Sequence, residues 1–123
     1  MQNIGTFYSW TITDTFNAEK ECDKSFFDHL QTGIPQEIRW FFNAENIEER
    51  IFINIFYNAK RYDAFIDLID GRTRLSWKSD LGDQLDKFSK CGKPIAHFQR
   101  INDENYMLNM QNLEEAIEPI ILI

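Results

Sequence analysis

The part of the sequence that most restricts the fold is residues 51–78, where β-branched and aromatic side chains are concentrated. Three such runs are separated by two short segments typical of tight turns. The runs are 51–56, 62–69 and 72–78, and the turns are Asn58-Ala59-Lys60 and Asp70-Gly71. Apolar residues on both faces of the first run are typical of a buried strand. We therefore expect three consecutive strands, with these side chains inside: Ile53, Ile55, Ile66, Leu75 and Trp77.

Further strands are expected on both sides of this region. Residues 7–13 are rich in aromatic and β-branched side chains and predict a first strand. Residues 94–101 and 104–110 predict two more strands, and 33–35 predict a short extended piece. Residues 14–32 are mostly polar and lack strand periodicity. We expect them to form a long, partly ordered arm, because loops of that length are usually functional or disordered.

Two short helices are predicted from their ends. Pro35 is suited to the start of a helix, which Ile38, Phe41 and Phe42 would anchor. Ser79 is typical of an N-cap for a second helix, and Cys91-Gly92 would end it. About six or seven short strands with two short helices indicate an α+β, mostly-β, barrel-like domain rather than parallel α/β units.

Length and composition indicate one domain. The 123 residues, 43% hydrophobic and 15% aromatic, are enough for one core and too few for two ordinary domains. We expect the domain over residues 1–112 and a tail, acidic and then apolar, over 113–123. No apolar run approaches the ~20 residues of a membrane span, and no signal peptide is evident. We expect a cytoplasmic protein without a membrane partner, in which Cys22 and Cys91 stay free thiols.

The charge is unevenly distributed along the chain, whose formal net charge is −7. Residues 1–59 carry four basic and nine acidic side chains, residues 60–100 carry nine and six, and residues 101–123 carry none and five. A net negative charge repels a phosphate backbone at long range, which disfavours indiscriminate nucleic-acid binding. Any contact with nucleic acid should therefore use the basic middle of the chain.

Motifs for cleaving phosphodiesters are absent. No lysine has an acidic residue two positions before it, as a carboxylate-metal nuclease needs, and His29 and His97 are too far apart in sequence for a His-Asn-His centre. Cys22 with His29 and Cys91 with His97 are spaced more loosely than usual zinc ligands. The five glycines do not cluster into a phosphate-binding loop. We expect no catalytic activity, no bound metal and no cofactor.

Three segments carry a resemblance to a known family. They are residues 9–27 with 32–42, residues 71–81, and residues 98–101 followed by Tyr106. Together they resemble the amino-terminal domains that accompany nuclease modules in bacterial restriction systems and have the B3-like pseudobarrel fold. The resemblance spans residues 7–110. It implies a domain that grips the major groove of duplex DNA with two arms, here 14–32 and the hairpin around 70–74. Cleavage would then come from a nuclease domain or subunit elsewhere.

The candidate DNA-binding residues lie on these two arms. On the first arm, side chains that donate hydrogen bonds to phosphates or base edges are Lys20, Lys24, Ser25, His29 and Gln31. On the second, Arg72 and Arg74 share one strand face and suit bidentate contacts with phosphate or guanine, and Lys78 continues that face.

Each candidate also has a purely structural interpretation. Arg72 and Arg74 are placed to pair with Asp63 or Asp67 across a hairpin. Lys20 and Lys24 alternate with acidic residues, which is also typical of a solvated loop. The three tryptophans, Trp10, Trp40 and Trp77, are expected in the core rather than as base-stacking platforms.

A second function remains open at this point. The net negative charge is also typical of an acidic interaction protein, such as an immunity or anti-restriction protein that mimics nucleic acid and blocks a basic partner.

Overall fold

The computed structural model describes residues 2–114 and contains nine β-strands. The strands are β1 (Gly5–Phe7), β2 (Trp10–Asp14), β3 (Asn17–Glu21), β4 (Gln31–Ile34), β5 (Ile51–Tyr57), β6 (Lys60–Ile69), β7 (Arg72–Trp77), β8 (Pro94–Arg100) and β9 (Asn105–Asn112). Two α-helices, α1 (Lys24–Asp28) and α2 (Ser79–Leu85), and two 3₁₀ helices, Gln36–Phe42 and Asp86–Lys90, complete the described elements. Residues 115–123 of the predicted tail lie outside the described part.

All nine strands belong to one sheet, in the order β1, β2, β3, β8, β9, β5, β6, β7, β4. Neighbouring strands are antiparallel except β5 and β9, which pair in parallel from Asn54 with Asn105 to Phe56 with Met107. The sheet curls into a half-barrel. Trp10 Nε1 on β2 donates a hydrogen bond of 2.9 Å to the Gly33 carbonyl on β4. This bond joins strands near opposite ends of the strand order.

The central strands agree with the sequence-based prediction. Ile53, Ile55, Ile66, Leu75 and Trp77 are all buried. Asn58 and Ala59 have φ of 49° and 63°, and Asp70 and Gly71 have φ of 52° and 76°. Two successive residues with positive φ are the mark of a type I′ turn, whose twist matches that of the flanking strands. The meander β5–β6–β7 is therefore confirmed, together with both of its turns.

An aromatic cluster fills the inside of the curled sheet. The 3₁₀ helix Gln36–Phe42 contributes Ile38, Phe41 and Phe42, all fully buried as predicted. The Phe42 ring centroid lies 5.6 Å from that of Trp10, 5.8 Å from Phe98 and 5.2 Å from Tyr106. Aromatic pairs at such distances add about 0.5–1.5 kcal/mol each beyond area burial. The three tryptophans are buried, as expected of core residues.

The predicted arm over residues 14–32 is wrong in its structure. The chain turns after Asp14 into β3, then forms α1, where the Asp23 side chain caps the helix by accepting a 2.9 Å hydrogen bond from Phe26 N–H. It then enters β4, which pairs with β7. Only Ala18 and Phe26 supply fully buried apolar side chains in this stretch up to β4. With so few buried apolar positions, neither β3 nor α1 gives a detectable hydrophobic period in the sequence.

The predicted strand number is also too low, since the sheet has nine strands rather than six or seven. Residues 7–13 are not one strand, because a two-residue turn at Tyr8-Ser9 pairs Phe7 with Trp10. Residues 14–32, predicted as an arm, contribute β3 as a further strand of the sheet. The mostly-β class is confirmed. Of the two predicted helices, the first is a 3₁₀ helix, and the second is α2 followed by a 3₁₀ turn that ends at Cys91.

Candidate nucleic-acid interface

A cleft of about 1150 Å³ opens where the two ends of the curled sheet meet. One wall comes from the turn between β1 and β2 and from Lys20 on β3. The other comes from β4, the 3₁₀ helix that follows it, and the start of β7. The Trp10–Gly33 hydrogen bond holds these walls together. The cleft is therefore a product of the curl and of no single element.

Basic side chains outnumber acidic ones in the lining of this cleft. Four cations line it, namely Lys20, Arg39, Arg72 and Arg74, against two carboxylates, Glu37 and Glu45. In a chain whose net charge is −7, this is a local reversal of sign. A concave surface with low-dielectric walls concentrates the field of such charges, which favours an anionic ligand.

In the described part of the chain, the four cations of the cleft have no carboxylate partner. Within residues 2–114, the ion pairs join Lys24 to Asp28, Arg50 to Asp67 and Arg100 to Asp103. None of these pairs involves a residue of the cleft. The positive charge of the cleft is thus free to act on a ligand.

Arg39 is positioned by neutral oxygen atoms. Its Nε donates to Thr73 Oγ1 at 3.1 Å, and its Nη2 donates to the Gly71 carbonyl at 2.7 Å. Thr73 Oγ1 in turn donates to the Ile34 carbonyl at 2.7 Å. These contacts fix the guanidinium at the wall without cancelling its charge.

Arg72 and Arg74 are exposed and lie on one face of β7, as predicted from strand alternation. Arg74 is opposite Gly33 on β4, where the lack of a side chain leaves the edge of the cleft open. On its other side it is opposite Asp67. The Asp67 carboxylate, however, accepts two hydrogen bonds from Arg50, at 2.7 and 3.1 Å. The predicted alternative, pairing of Arg72 or Arg74 with Asp63 or Asp67, is not observed among the described ion pairs.

Lys20 is buried rather than placed on a flexible arm, which corrects its predicted setting. Its side chain is on β3, the residue is 7% exposed, and Nζ donates to Ser9 Oγ. Burial lowers the pKa of Lys20 below its ordinary value of 10.5, since the protein interior disfavours the charged form; the charges of Asp23, Cys22 and Glu21 oppose this shift.

The remaining five predicted residues are not in the cleft lining. Lys24 lies on α1, where its Nζ is 3.9 Å from the Asp28 carboxylate. Ser25 and His29 lie at the start and end of the same helix, and the Ser25 carbonyl accepts a hydrogen bond from His29 N–H. Gln31 begins β4 opposite Ser76. Lys78 follows β7 and occupies the N-cap position of α2 without a side-chain capping hydrogen bond, so the predicted N-cap, Ser79, is instead the first residue of the helix. The strand carrying Arg72 and Arg74 thus ends before Lys78.

Tyr8 and Arg39 are among the cleft residues that were not predicted as site residues from the sequence. Tyr8 lies at the turn between β1 and β2, is 81% exposed and has a φ of 58°. Positive φ is uncommon for a bulky residue. Tyr8 was not predicted, because it lies inside a run that resembles a single strand in the sequence. Arg39 was assigned only to a helix, and no local signal places it beside β7.

Other kinds of site were sought in the same part of the chain. No group of three or more His, Cys, Asp or Glu side chains is placed to hold a metal ion within residues 2–114. Cys22 and Cys91 are free thiols, and burial raises the pKa of Cys22 to about 12. In the described region there is no helix of the length and apolar character that crossing a membrane requires.

Comparison with solved structures identifies the fold. The N-terminal domain of Helicobacter pylori LlaJI.R1 is similar to this chain with a TM-score of 0.62 and 12% sequence identity, over 86% of this chain and 88% of that one. The sequence itself matches no protein-family profile and no curated protein. At this identity the similarity concerns the fold alone, which this chain shares with that N-terminal domain.

Proposed function

We propose that this protein is a duplex-DNA-recognition domain of a bacterial restriction system, with a B3-like pseudobarrel that binds DNA through the cleft. The observation that carries the proposal is the set of four cleft cations without a carboxylate partner in residues 2–114. The protein acts in the cytoplasm and does not itself cleave DNA. A nuclease domain or subunit supplies the cleavage.

The charge distribution supports selective rather than indiscriminate binding. Exposed charges separated by more than about 8 Å are largely screened at physiological salt. The acidic surface outside the cleft therefore acts on DNA at short range, and it weakens binding in orientations that bring that surface close to the duplex. At contact distance, the field of the cleft cations dominates. DNA is attracted when the cleft faces it and repelled by the acidic remainder of the surface.

Arg72 and Arg74 are the base-reading or phosphate-clamping residues of this proposal. Side chains two positions apart on a strand lie about 6.6 Å from each other. Their guanidinium groups carry planar sets of donors that suit guanine O6 and N7 or two phosphate oxygens. A two-stranded β-ribbon fits the major groove of B-form DNA. The end of the β6–β7 hairpin, from Ile69 to Arg72, extends beyond the neighbouring strands β5 and β4 as a short ribbon of this kind.

The helix α1 has a secondary role in the proposal. Lys24, Ser25 and His29 are exposed on α1 or at its end. They contact backbone phosphates flanking the site, which adds affinity without sequence information. Tyr8 supplies an exposed aromatic ring at the cleft, suited to packing against a sugar or base.

The test reverses two charges in the cleft and two outside it. The variant with Arg72→Glu and Arg74→Glu is compared with a control carrying Lys60→Glu and Arg61→Glu, which undergoes the same change in net charge. Lys60 and Arg61 begin β6 and are exposed. Binding is measured by fluorescence anisotropy with a pool of randomised duplexes at two salt concentrations. Loss of one such arginine contact costs about 1–3 kcal/mol. We expect the cleft variant to lose at least tenfold in affinity and the control less than threefold.

Two results would overturn the proposal. One is no duplex binding by the wild-type protein at low salt. The other is an equal loss in both variants. An acidic interaction protein would behave differently, because its binding surface would be built from carboxylates such as Glu48 and Glu49, exposed before β5. Glu48→Gln with Glu49→Gln would then abolish capture of a basic partner, while arginine reversal in the cleft would leave that capture intact.

A further inference from the structure

The ammonium group of Lys20 is the most unusual charge in the described structure. The residue is 7% exposed and is one of those that line the cleft. The only described hydrogen bond of its ammonium group runs from Nζ to Ser9 Oγ, a neutral acceptor. An ammonium has three N–H donors. Two of them lack a protein acceptor in the part of the chain that the structure describes.

A buried charge of this kind is unfavourable without a counter-charge. Buried cations in proteins are normally paired with a carboxylate and fully hydrogen-bonded. No described ion pair includes Lys20. Glu37 and Glu45 also line the cleft, but both are exposed and neither pairs with one of its cations. Asp23 and Glu21 favour the charged form of Lys20 by their electrostatic field but form no described ion pair with it. A direct partner is therefore an anion that the protein does not itself provide.

The groups around Lys20 match the oxygens of a phosphate. Ser9 Oγ accepts the bond from Lys20, so its own hydroxyl hydrogen remains available for a second acceptor. Arg39, Arg72 and Arg74 line the same space. Arg39 is held in place by Thr73 and Gly71, so its orientation is set before a ligand arrives. Hydrogen bonds between charged partners of this type are about twice as strong as neutral ones.

We infer that Lys20 and Ser9 form a phosphate-binding subsite at the floor of the cleft, which holds one backbone phosphate of the bound duplex. This inference rests on the proposed function for the source of the phosphate. The subsite fixes the position of the duplex along the cleft, and the exposed arginines then contact the groove. Free phosphate presents the same oxygens, and the experiment distinguishes the two sources.

The subsite implies that Lys20 is retained for binding at the expense of stability. Lys20→Met keeps the length of the side chain and removes the buried charge. Without phosphate, we expect this variant to unfold at a higher temperature than the wild type. Lys90→Met is the matched control, since Lys90 is exposed, lies outside the cleft and has no part in the proposed binding surface.

Thermal unfolding is measured in inorganic phosphate and in sodium chloride of equal ionic strength. Phosphate also stabilises proteins generally by exclusion from their surface, and this effect is the same in all variants. We expect an additional rise in Tm with phosphate in the wild type and in Lys90→Met, and none in Lys20→Met. Ser9→Ala keeps the charge, removes the acceptor, and should lower Tm while weakening the phosphate response. Ser9→Ala decides the question if Lys20→Met does not fold.

Duplex binding provides the second arm of the experiment. One phosphate contact fewer should lower the salt slope of binding by about one in Lys20→Met, equally for all sequences. If Lys20→Met binds duplexes with the wild-type slope while the Arg72 and Arg74 reversal abolishes binding, the subsite is wrong and the proposed function stands. If the wild type binds no duplex but shows the Lys20-dependent phosphate response, the proposed function fails and the source is free phosphate. A phosphate response equal in wild type and Lys20→Met overturns the subsite.

Discussion

The cleft and the start of β5 treat their cations in opposite ways. At the start of β5, Arg50 donates two hydrogen bonds to Asp67, and its guanidinium lies 4.1 Å from the centroid of the Phe65 ring. Asp67 is also directly opposite Arg74 in the sheet, yet Arg74 is left without it. Asp67 thus pairs with Arg50, which has a structural role, and leaves Arg74 free to bind a ligand. The lack of a described ion pair for Arg74 is informative, because the Asp67 carboxylate lies opposite it on β6 and pairs with Arg50 instead.

The first prediction removes the side chain on which the shape of the cleft depends. Phe42 is fully buried and joins Trp10 on β2 to Tyr106 on β9. Phe42→Ala should lower the free energy of unfolding by about 3–5 kcal/mol, the usual cost of deleting a buried aromatic ring. Phe52 on β5 is 70% exposed, and Phe52→Ala should change stability by less than about 0.5 kcal/mol. Urea unfolding measures both.

A similar loss in the two variants would contradict the assignment of inside and outside for these strands. It would also mean that the walls of the cleft are not held together by the Phe42 cluster.

The second prediction concerns alkaline pH and separates Lys20 from other lysines. The folded-state pKa of Lys20 is lowered by burial, so the unfolded chain keeps its proton to a higher pH than the folded one. Stability then rises with pH between the folded-state pKa and the ordinary value of 10.5, since the unfolded state binds more protons there. The stability advantage of Lys20→Met should be largest at neutral pH and shrink as the pH approaches 10.5.

The measurement is a series of urea unfolding curves from pH 7 to alkaline pH for the wild type and Lys20→Met, with Lys90→Met as the control for removing one exposed lysine. A constant Lys20 difference would show that the ammonium is not desolvated.

The third prediction, which has the smallest expected effect, removes the carboxylate partner of Arg50. Asp67→Asn removes the carboxylate that Arg50 holds and that faces Arg74. The Asp67 side chain is 19% exposed, and a charge pair at the protein surface is worth about 0–1 kcal/mol, so duplex affinity should rise by no more than about fivefold at low salt. The increase should disappear at high salt. Asp63→Asn, also on β6 but opposite Asn54 rather than a cleft residue, is the matched control.

If Asp67→Asn weakens duplex binding, the Arg50–Asp67 pair contributes to the interface, and the distinction between the two arginines is wrong.

Local signals were sufficient to predict the meander but not the cleft. The Asp70-Gly71 turn and the alternation of β7 placed Arg72 and Arg74 on one face without any tertiary information. The cleft depends instead on Trp10 reaching Gly33, which is 23 residues away in sequence. No sequence period encodes that contact, because it arises from the accumulated curl of nine strands. Arg39 enters the site for the same reason.

Lys20 illustrates a different limit of the sequence. On β3 the buried positions are Ala18 and Lys20, while Asn17, Glu19 and Glu21 are wholly or partly exposed. The period of two is present, but a lysine occupies an inside position. Strand patterns are detected by assigning charged residues to the outside, so a lysine at an inside position conceals the strand that carries it. Functional positions are where such departures are expected.

The parallel pairing of β9 with β5 has a consequence for how the chain reaches its native state. The β8–β9 hairpin is synthesised last among the described strands, yet it occupies the middle of the sheet, between β3 and β5. The strands preceding it are two separate groups, β1–β2–β3 and β5–β6–β7 with β4, which only this hairpin joins edge to edge. Closure over such sequence separations slows folding relative to a local meander. The unjoined edges of β3 and β5 are meanwhile open templates for strands of other chains. For productive folding during synthesis, the β8–β9 hairpin must therefore emerge and pair with β3 and β5 before a strand of a second nascent chain pairs with either of them.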